Sequence, residues 1–276
     1  CTACKLVKYC NRECQIAHRP QHKKACKKRA AELHDEALFK EPPPRDECPI
    51  CLLPLPIDRI QTIFKSCCGK VICRGCIYAM VAEAHGRRGE IGLCAFCREP
   101  ASKSDEENIK RLKILMESDN SYAFNNIGGC YANGIMGMPQ DFTKANELYL
   151  RAGELGCADG YYNLGLSYDL GNGMEMDKKK AKHFYELAAM NGDVQARHNL
   201  GCTEKEAGKY DRAMKHFILA AKAGFSDSLD NVKQGFMDGI VTKDEYANTL
   251  RAYKKIQDEM KSVARDKARS FEPNQA

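Results

Sequence analysis

Residues 157–192 read CADGYYNLGLSYDLGNGMEMDKKKAKHFYELAAMNG, and this stretch decides the fold of most of the chain. Gly160, Leu164 and Tyr168 stand four apart, the spacing of one helix face. After a glycine-rich loop, Asp177 stands where a helix N-cap belongs, and Ala181, Phe184, Tyr185 and Ala188 mark the apolar face of a second helix. Working outward, the first-helix pattern recurs as Ala123-Ile127-Tyr131, Ala196-Leu200-Glu204 and Ser228-Val232-Phe236. The second recurs as Ala145-Leu148-Tyr149-Ala152 and Ala213-Phe217-Ala220, with Asp141 as a further N-cap. Gly156, Gly192 and Gly224 read as C-caps, the first two 36 residues apart.

A period in the thirties with two amphipathic helices per unit predicts a helical solenoid, in which small residues let paired helices approach closely. The pattern Leu-Gly-x-x-Tyr, glycine-rich loop, Asp, Lys-Ala, Ala, Gly resembles Sel1-like repeats more closely than the tetratricopeptide kind. The array is read over residues 104–253. It opens on a helix with a capping-box start at Ser104-Asp105-Glu106-Glu107, followed by Ile109, Leu112 and Met116. The copy from Ser228 to Tyr253 is degenerate, as a terminal cap would be. The resemblance implies a concave surface that binds another protein. His183, His198 and His216 are scattered, and Cys130, Cys157 and Cys202 read as single buried thiols, so no catalytic constellation is read there. Residues 254–276 read as a charged tail, a helix fraying into disorder.

The front of the chain differs in kind. Of 16 cysteines, all but Cys130, Cys157 and Cys202 precede Ser102. Residues 48–100 hold four pairs, Cys48/Cys51, Cys67/Cys68, Cys73/Cys76 and Cys94/Cys97, enough to close two tetrahedral zinc shells with no position open to water. This spacing resembles the RING family, in particular its all-cysteine, Not4-like members. The resemblance implies interleaved sites, Cys48, Cys51, Cys73 and Cys76 in one, Cys67, Cys68, Cys94 and Cys97 in the other. Two departures stand out: Lys70 occupies the usual histidine position, and Ser66 the position where the family places the partner of Cys68. The resemblance further implies a ubiquitin-ligase role in which an E2–ubiquitin conjugate is positioned without a covalent intermediate. The E2-facing positions would be Ile50, Ile77, Met80 and Pro100, with Arg98 in the linchpin place that bridges E2 and ubiquitin. Ala95 stands where many active members have proline. The alternative is a zinc-stabilised interaction scaffold with no enzymatic role.

Upstream, Cys1-x2-Cys4, Tyr9-Cys10-x3-Cys14 and His22-x3-Cys26 resemble a MYND-type finger over residues 1–26 that lacks its first CxxC pair. The resemblance implies one complete zinc site, Cys1, Cys4, His22 and Cys26, and one incomplete site, Cys10 and Cys14, in a module that binds short proline-containing peptides. His18 is the competing ligand on spacing. Residues 27–47 read as a link: a basic helix from Lys23 to Phe39, stopped by Pro42-Pro43-Pro44.

Net charge is +6, with basic residues crowded near the first finger. Ligating cysteines are thiolates, so the zinc centres would bring the balance to roughly +1, and these cations read as a solvated face, not a nucleic-acid patch. The longest apolar runs are only a few residues, too short for a membrane span. The sum is a mainly α chain, with small zinc-stabilised MYND and RING modules followed by a Sel1-like solenoid, placed in a reducing compartment, cytoplasmic or nuclear.

Overall fold

The structure is a computed structural model that describes Lys5, residues 12–84 and residues 92–270. Its two compact units are Cys1–Pro42 and Pro43–Ala276. Within the first, helix α1 (Arg12–Leu38) begins well before Lys23, where the sequence reading starts it, and passes through Pro20. An interior proline costs about 3 kcal/mol of helix propensity, a penalty this helix absorbs without breaking. It ends four residues short of Pro42, as expected of a proline run that cannot continue a helix.

The second unit opens on an irregular segment leading to a 3-10 turn (Arg59–Gln61), whose Asp58 cap accepts from the Ile60 N–H. An antiparallel hairpin follows, β1 (Thr62–Lys65) against β2 (Lys70–Cys73), pairing Thr62 with Cys73 and Lys65 with Lys70. Helix α2 (Arg74–Ala84) continues directly from β2. The solenoid then runs through α3 (Asp105–Glu117), α4 (Ser121–Asn133), α5 (Phe142–Glu154), α6 (Ala158–Leu170), α7 (Lys178–Met190), α8 (Val194–Glu206), α9 (Tyr210–Lys222), α10 (Ser226–Met237) and α11 (Lys243–Met260).

Local signals fix many of these ends. Asp141 and Asp177 cap α5 and α7 by accepting backbone N–H bonds, and Gly156, Gly192 and Gly224 lie one residue past the caps of their helices with positive φ. Ser104 caps α3 by accepting from the Glu107 N–H, but the Glu107 carboxylate accepts from Lys103, so the capping box is one residue out of register. Close helix pairing rests on glycines that face aromatic rings. A Cβ at Gly128, Gly165 or Gly201 would lie within 2.8 Å of Tyr149, Tyr185 or Phe217, so the helix-propensity cost of each glycine is offset by contact.

Position eight of the first-helix pattern, occupied by Tyr131 and Tyr168 in the first two repeats, holds Glu204 in the third. That carboxylate is buried and is met by Lys182 at 2.6 Å and Arg212 at 3.0 Å, with Lys209 at 3.6 Å. Burial pushes it up, but the Lys182 and Arg212 hydrogen bonds outweigh burial and hold it below the usual carboxylate range. His216 is fully buried beside the same cluster, and burial, with Arg197 and Arg212 nearby, pushes it from 6.5 down to about 3. A histidine whose folded-state value is depressed contributes stability above its unfolded value, and that contribution is lost as pH falls from 6.5 towards 3. We expect the drop in urea stability between pH 7 and 5 to be smaller in His216→Gln than in wild type, by up to about 1.4 kcal/mol per pH unit below 6.5. Equal slopes in the two proteins would remove His216 from the account.

The irregular segment before β1 is not a free spacer, because its polar side chains are spent on the repeats. The Tyr122 hydroxyl donates to Asp46 at 2.7 Å, and Arg45 donates to the carbonyls of Leu55 and Ala223. Arg59 donates to Asp159 at 2.8 Å and to buried Asp193 at 2.7 Å, with its guanidinium 4.6 Å from the Tyr162 ring centre. Burial pushes the Asp193 carboxyl up to about 6, against the pull of Arg59. Phe64 of β1 packs against the core of α3 and α4. The cysteine-rich residues and the solenoid thus share one compact unit.

From Lys254 to Ser270 the chain is largely helical where its composition suggests fraying, and residues 271–276 of the expected tail lie outside the described residues. Helix α11 continues to Met260, and α12 (Val263–Ser270) packs against α2. The cause is Arg265, a cation that the helix pattern marks as surface but that is buried here with several backbone acceptors.

Candidate metal centre

Cys48 and Cys94 each begin the same local structure. The N–H of the residue after the second cysteine donates to the carbonyl of the first, Leu52 to Cys48 at 2.9 Å and Arg98 to Cys94 at 3.0 Å. Leu52 and Arg98 both take left-handed backbone angles, φ 57° and 64°. A return bond closes each turn, Cys48 N–H to Leu53 and Cys94 N–H to Glu99, and isolated bridges pair Glu47 with Pro54 and Leu93 with Pro100. Each turn therefore presents two sulfurs on one side, which is what a CxxC pair needs to share a metal.

The other two pairs come from the hairpin. Cys67 and Cys68 sit in its turn, where the N–H groups of Cys68 and Gly69 both donate to Lys65 and Gly69 takes φ 66°. Cys73 ends β2, and Cys76 lies in the first turn of α2. The sulfurs gather into two groups, Cys48, Cys51, Cys73 and Cys76, and Cys67, Cys68, Cys94 and Cys97. The groups interleave along the chain.

The distances test whether zinc fits. A tetrahedron with metal–sulfur bonds of about 2.3 Å has edges of about 3.8 Å. In the first group Cys48–Cys76 and Cys51–Cys73 are both 3.8 Å apart and Cys73–Cys76 is 3.5 Å. In the second, Cys67–Cys97 is 3.5 Å and Cys68–Cys94 is 4.0 Å. Disulfides, with sulfurs about 2.05 Å apart, are excluded for these eight, all of which are free thiols. Burial pushes the Cys48 thiol up, but the N–H groups of Cys51, Cys73 and Ile50 outweigh it and hold the group at about 7. The N–H groups of Cys97 and Phe96 do the same for Cys94, while burial pushes the Cys67, Cys68, Cys73 and Cys76 thiols up. Both groups are compatible with tetrahedral zinc held by thiolates, and four sulfurs close each shell, so the metal would supply folding energy and not a reactive water.

The proposed protein-facing residues are distributed unevenly. Ile50 and Arg98 are exposed, as is Pro100. Ile77 is half-buried against the cysteine cluster, so it is in part core, and Met80 is half-buried further along α2. The sequence reading passed over Phe96, which is exposed and holds in the second turn the place that Ile50 holds in the first. The repeated CxxC spacing was a signal for it. Of the upstream ligand set, Cys1, Cys4 and Cys10 lie outside the described residues, as does the Cys14 side chain. His22 is buried within α1 and stacks on His18 at 5.5 Å, and Cys26 is half-buried one turn on.

Comparison with known proteins identifies modules on either side of the cysteine cluster. Residues 1–26 match the family model of the MYND finger, and residues 121–157, 158–193 and 195–225 match that of the Sel1 repeat. The chain carries a MYND finger and Sel1 repeats. No RING family model matches it. The ERAD-associated E3 ubiquitin-protein ligase component HRD3A of Arabidopsis thaliana is 30% identical over 124 residues, 43% of this chain and 17% of the relative. HRD3B of the same plant is 32% identical over 124 residues, again 43% of this chain and 19% of the relative. The chain thus spans less than a fifth of either relative's length. The crystal structure of a Sel1 repeat protein from Oxalobacter formigenes matches at 25% identity and a TM-score of 0.49, covering 66% of this chain and 70% of that one. MYND and Sel1 modules mark a zinc-binding protein-interaction chain. Among the described residues no helix is long and apolar enough to cross a membrane.

Proposed function

We propose that the chain is a RING-type E3 ubiquitin-protein ligase, with the Cys48–Cys97 module positioning an E2–ubiquitin conjugate. Its Sel1 repeats would bind the protein substrate and its MYND finger a proline-containing peptide. The observation that carries this reading is the interleaved pair of four-sulfur groups with Arg98 on its surface. The second zinc turn pins the Arg98 backbone through the bond to Cys94, while the guanidinium stays exposed. A planar fork held this way can donate to two proteins at once, and orientation of bound reactants lowers a barrier without covalent chemistry. Ile50, 40% exposed beside the first turn, supplies an apolar contact for the E2. The Arabidopsis relatives, ligase components by name, match 124 residues of this chain.

We expect Arg98→Ala to slow discharge of ubiquitin from a charged E2 to free lysine at least tenfold, about 1.4 kcal/mol of barrier, and Ile50→Ala to weaken the same reaction by lowering E2 affinity. The assay uses the full chain with a panel of E2 enzymes. Absence of discharge with every E2, or full activity in Arg98→Ala, would leave the second reading, a non-enzymatic zinc-binding scaffold. Ala95, where many active family members have proline, and the adjacent Cys67-Cys68 pair favour that reading.

A further inference from the structure

We propose that Arg265, 167 residues beyond Arg98 in the chain, is a positioning residue of the Cys48, Cys51, Cys73 and Cys76 zinc centre, bracing both halves of the site from outside. The inference rests on reading that group as a zinc centre. Arg265 is 2% exposed on α12. One end of its guanidinium donates to the Pro54 carbonyl at 2.8 Å and to Met260 at 3.0 Å, and the other to the Leu53 carbonyl at 3.4 Å and the Cys51 sulfur at 3.5 Å. Leu53 and Pro54 close the turn that presents Cys48 and Cys51. On the opposite side, a Cβ at Gly75, between Cys73 and Cys76, would lie 2.7 to 2.9 Å from the Arg265 Cγ, N and Cα. The same residue therefore touches the backbone that carries each pair of sulfurs.

Charge explains why an arginine belongs there. A buried cation is costly unless an anion or several acceptors meet it. Among the described residues no carboxylate pairs with Arg265, and its Nε has no partner. The thiolates are its anions: a four-thiolate zinc centre carries a net charge of about −2. A guanidinium bonded to one sulfur offsets that charge and keeps the thiolate on the metal, as outer hydrogen bonds do at other metal sites. Among the described residues no side-chain cation bonds to the second group, where backbone N–H groups are the outer donors, that of Phe96 to Cys94 at 3.5 Å among them. The two centres should then differ in lability, with the first the more durable.

Site-resolved metal exchange tests this. The full chain is loaded with cadmium-113, the resonances are assigned by Cys51→Ser and Cys97→Ser, and release to a chelator is followed in wild type, Arg265→Met and Arg265→Lys. We expect Arg265→Met to shift the first-site resonance and speed its release at least tenfold while the second site is unchanged, and Arg265→Lys to recover part of the difference. Unchanged release from the first site, or equal acceleration at both sites, would overturn the role. Wild-type protein with no tetrathiolate resonance would instead overturn the zinc reading itself.

Discussion

Serine in place of Cys73 is expected to remove one zinc per chain and to loosen α2 and the Cys73 end of the hairpin, where Ile63 pairs with Ile72, while the Cys67-Cys68 turn stays with the second group. Cys73 is fully buried, ends β2 opposite Thr62, and packs with Cys48, Leu55, Ile72 and Cys94 in the core of the cysteine-rich residues. That core is small, and a structural zinc supplies ~10–16 kcal/mol of apparent binding energy that is also folding energy. A serine hydroxyl is a far weaker ligand than a thiolate, so the first shell opens and its metal is lost. The repeats have their own cores of aromatic and aliphatic side chains, so most of the helix signal should remain. Zinc content by elemental analysis together with amide exchange at Ile63 and Ile72 checks this. Full zinc content, or retained protection at these two amides, would show that the sulfurs do not hold the module together.

The second large effect lies in the solenoid. Phe217→Ala should lower the free energy of unfolding by about 3–5 kcal/mol, the range for removing a buried aromatic ring. Phe217 is fully buried, rests on the face opened by Gly201, and lies 5.4 Å from the His198 ring. Ala213 and Ala221 of the same core are fully buried and too short to fill the space a lost ring would leave. Leu170→Ala, at a position 58% exposed, is the control and should change stability by less than about 0.5 kcal/mol. Urea titration of both variants separates the outcomes; similar midpoints would place Phe217 outside the core.

The solenoid was readable from the sequence because each of its contacts is local. Ala123, Gly160, Ala196 and Ser228 recur at one position and are buried, and the residues four later, Ile127, Leu164, Leu200 and Val232, fill the core. The interleaving of the eight cysteines came from a family resemblance, since spacing alone permits other pairings. What the sequence hid are single side chains acting over long separations. Arg59 reaching Asp159 and Asp193, and Arg265 reaching Cys51, look like ordinary surface cations in any local window. For the same reason α12 reads as fraying: its composition is charged, and only the distant Gly75 shows why it docks. Helix α1 begins upstream of Lys23 because Pro20 does not break it, which composition does not show.

These contacts also refine the functional account. The Arg59 side chain fills a two-carboxylate, one-ring recess on the repeats, and Asp46 holds Tyr122, so the surface expected to receive a substrate is partly taken by the chain's own residues. A substrate bound by the repeats would use the remaining surface, and it would be held at a fixed distance from Arg98 because the two regions share one compact unit.

The most direct test of the interleaved zinc module is cadmium-113 NMR of the full chain with single cysteine replacements. The structure predicts that Cys51→Ser and Cys73→Ser erase the same tetrathiolate resonance and that Cys68→Ser erases a different one. Loss of one common resonance in Cys51→Ser and Cys68→Ser, with Cys73→Ser erasing another, would mean that neighbouring pairs share each metal and would contradict the account.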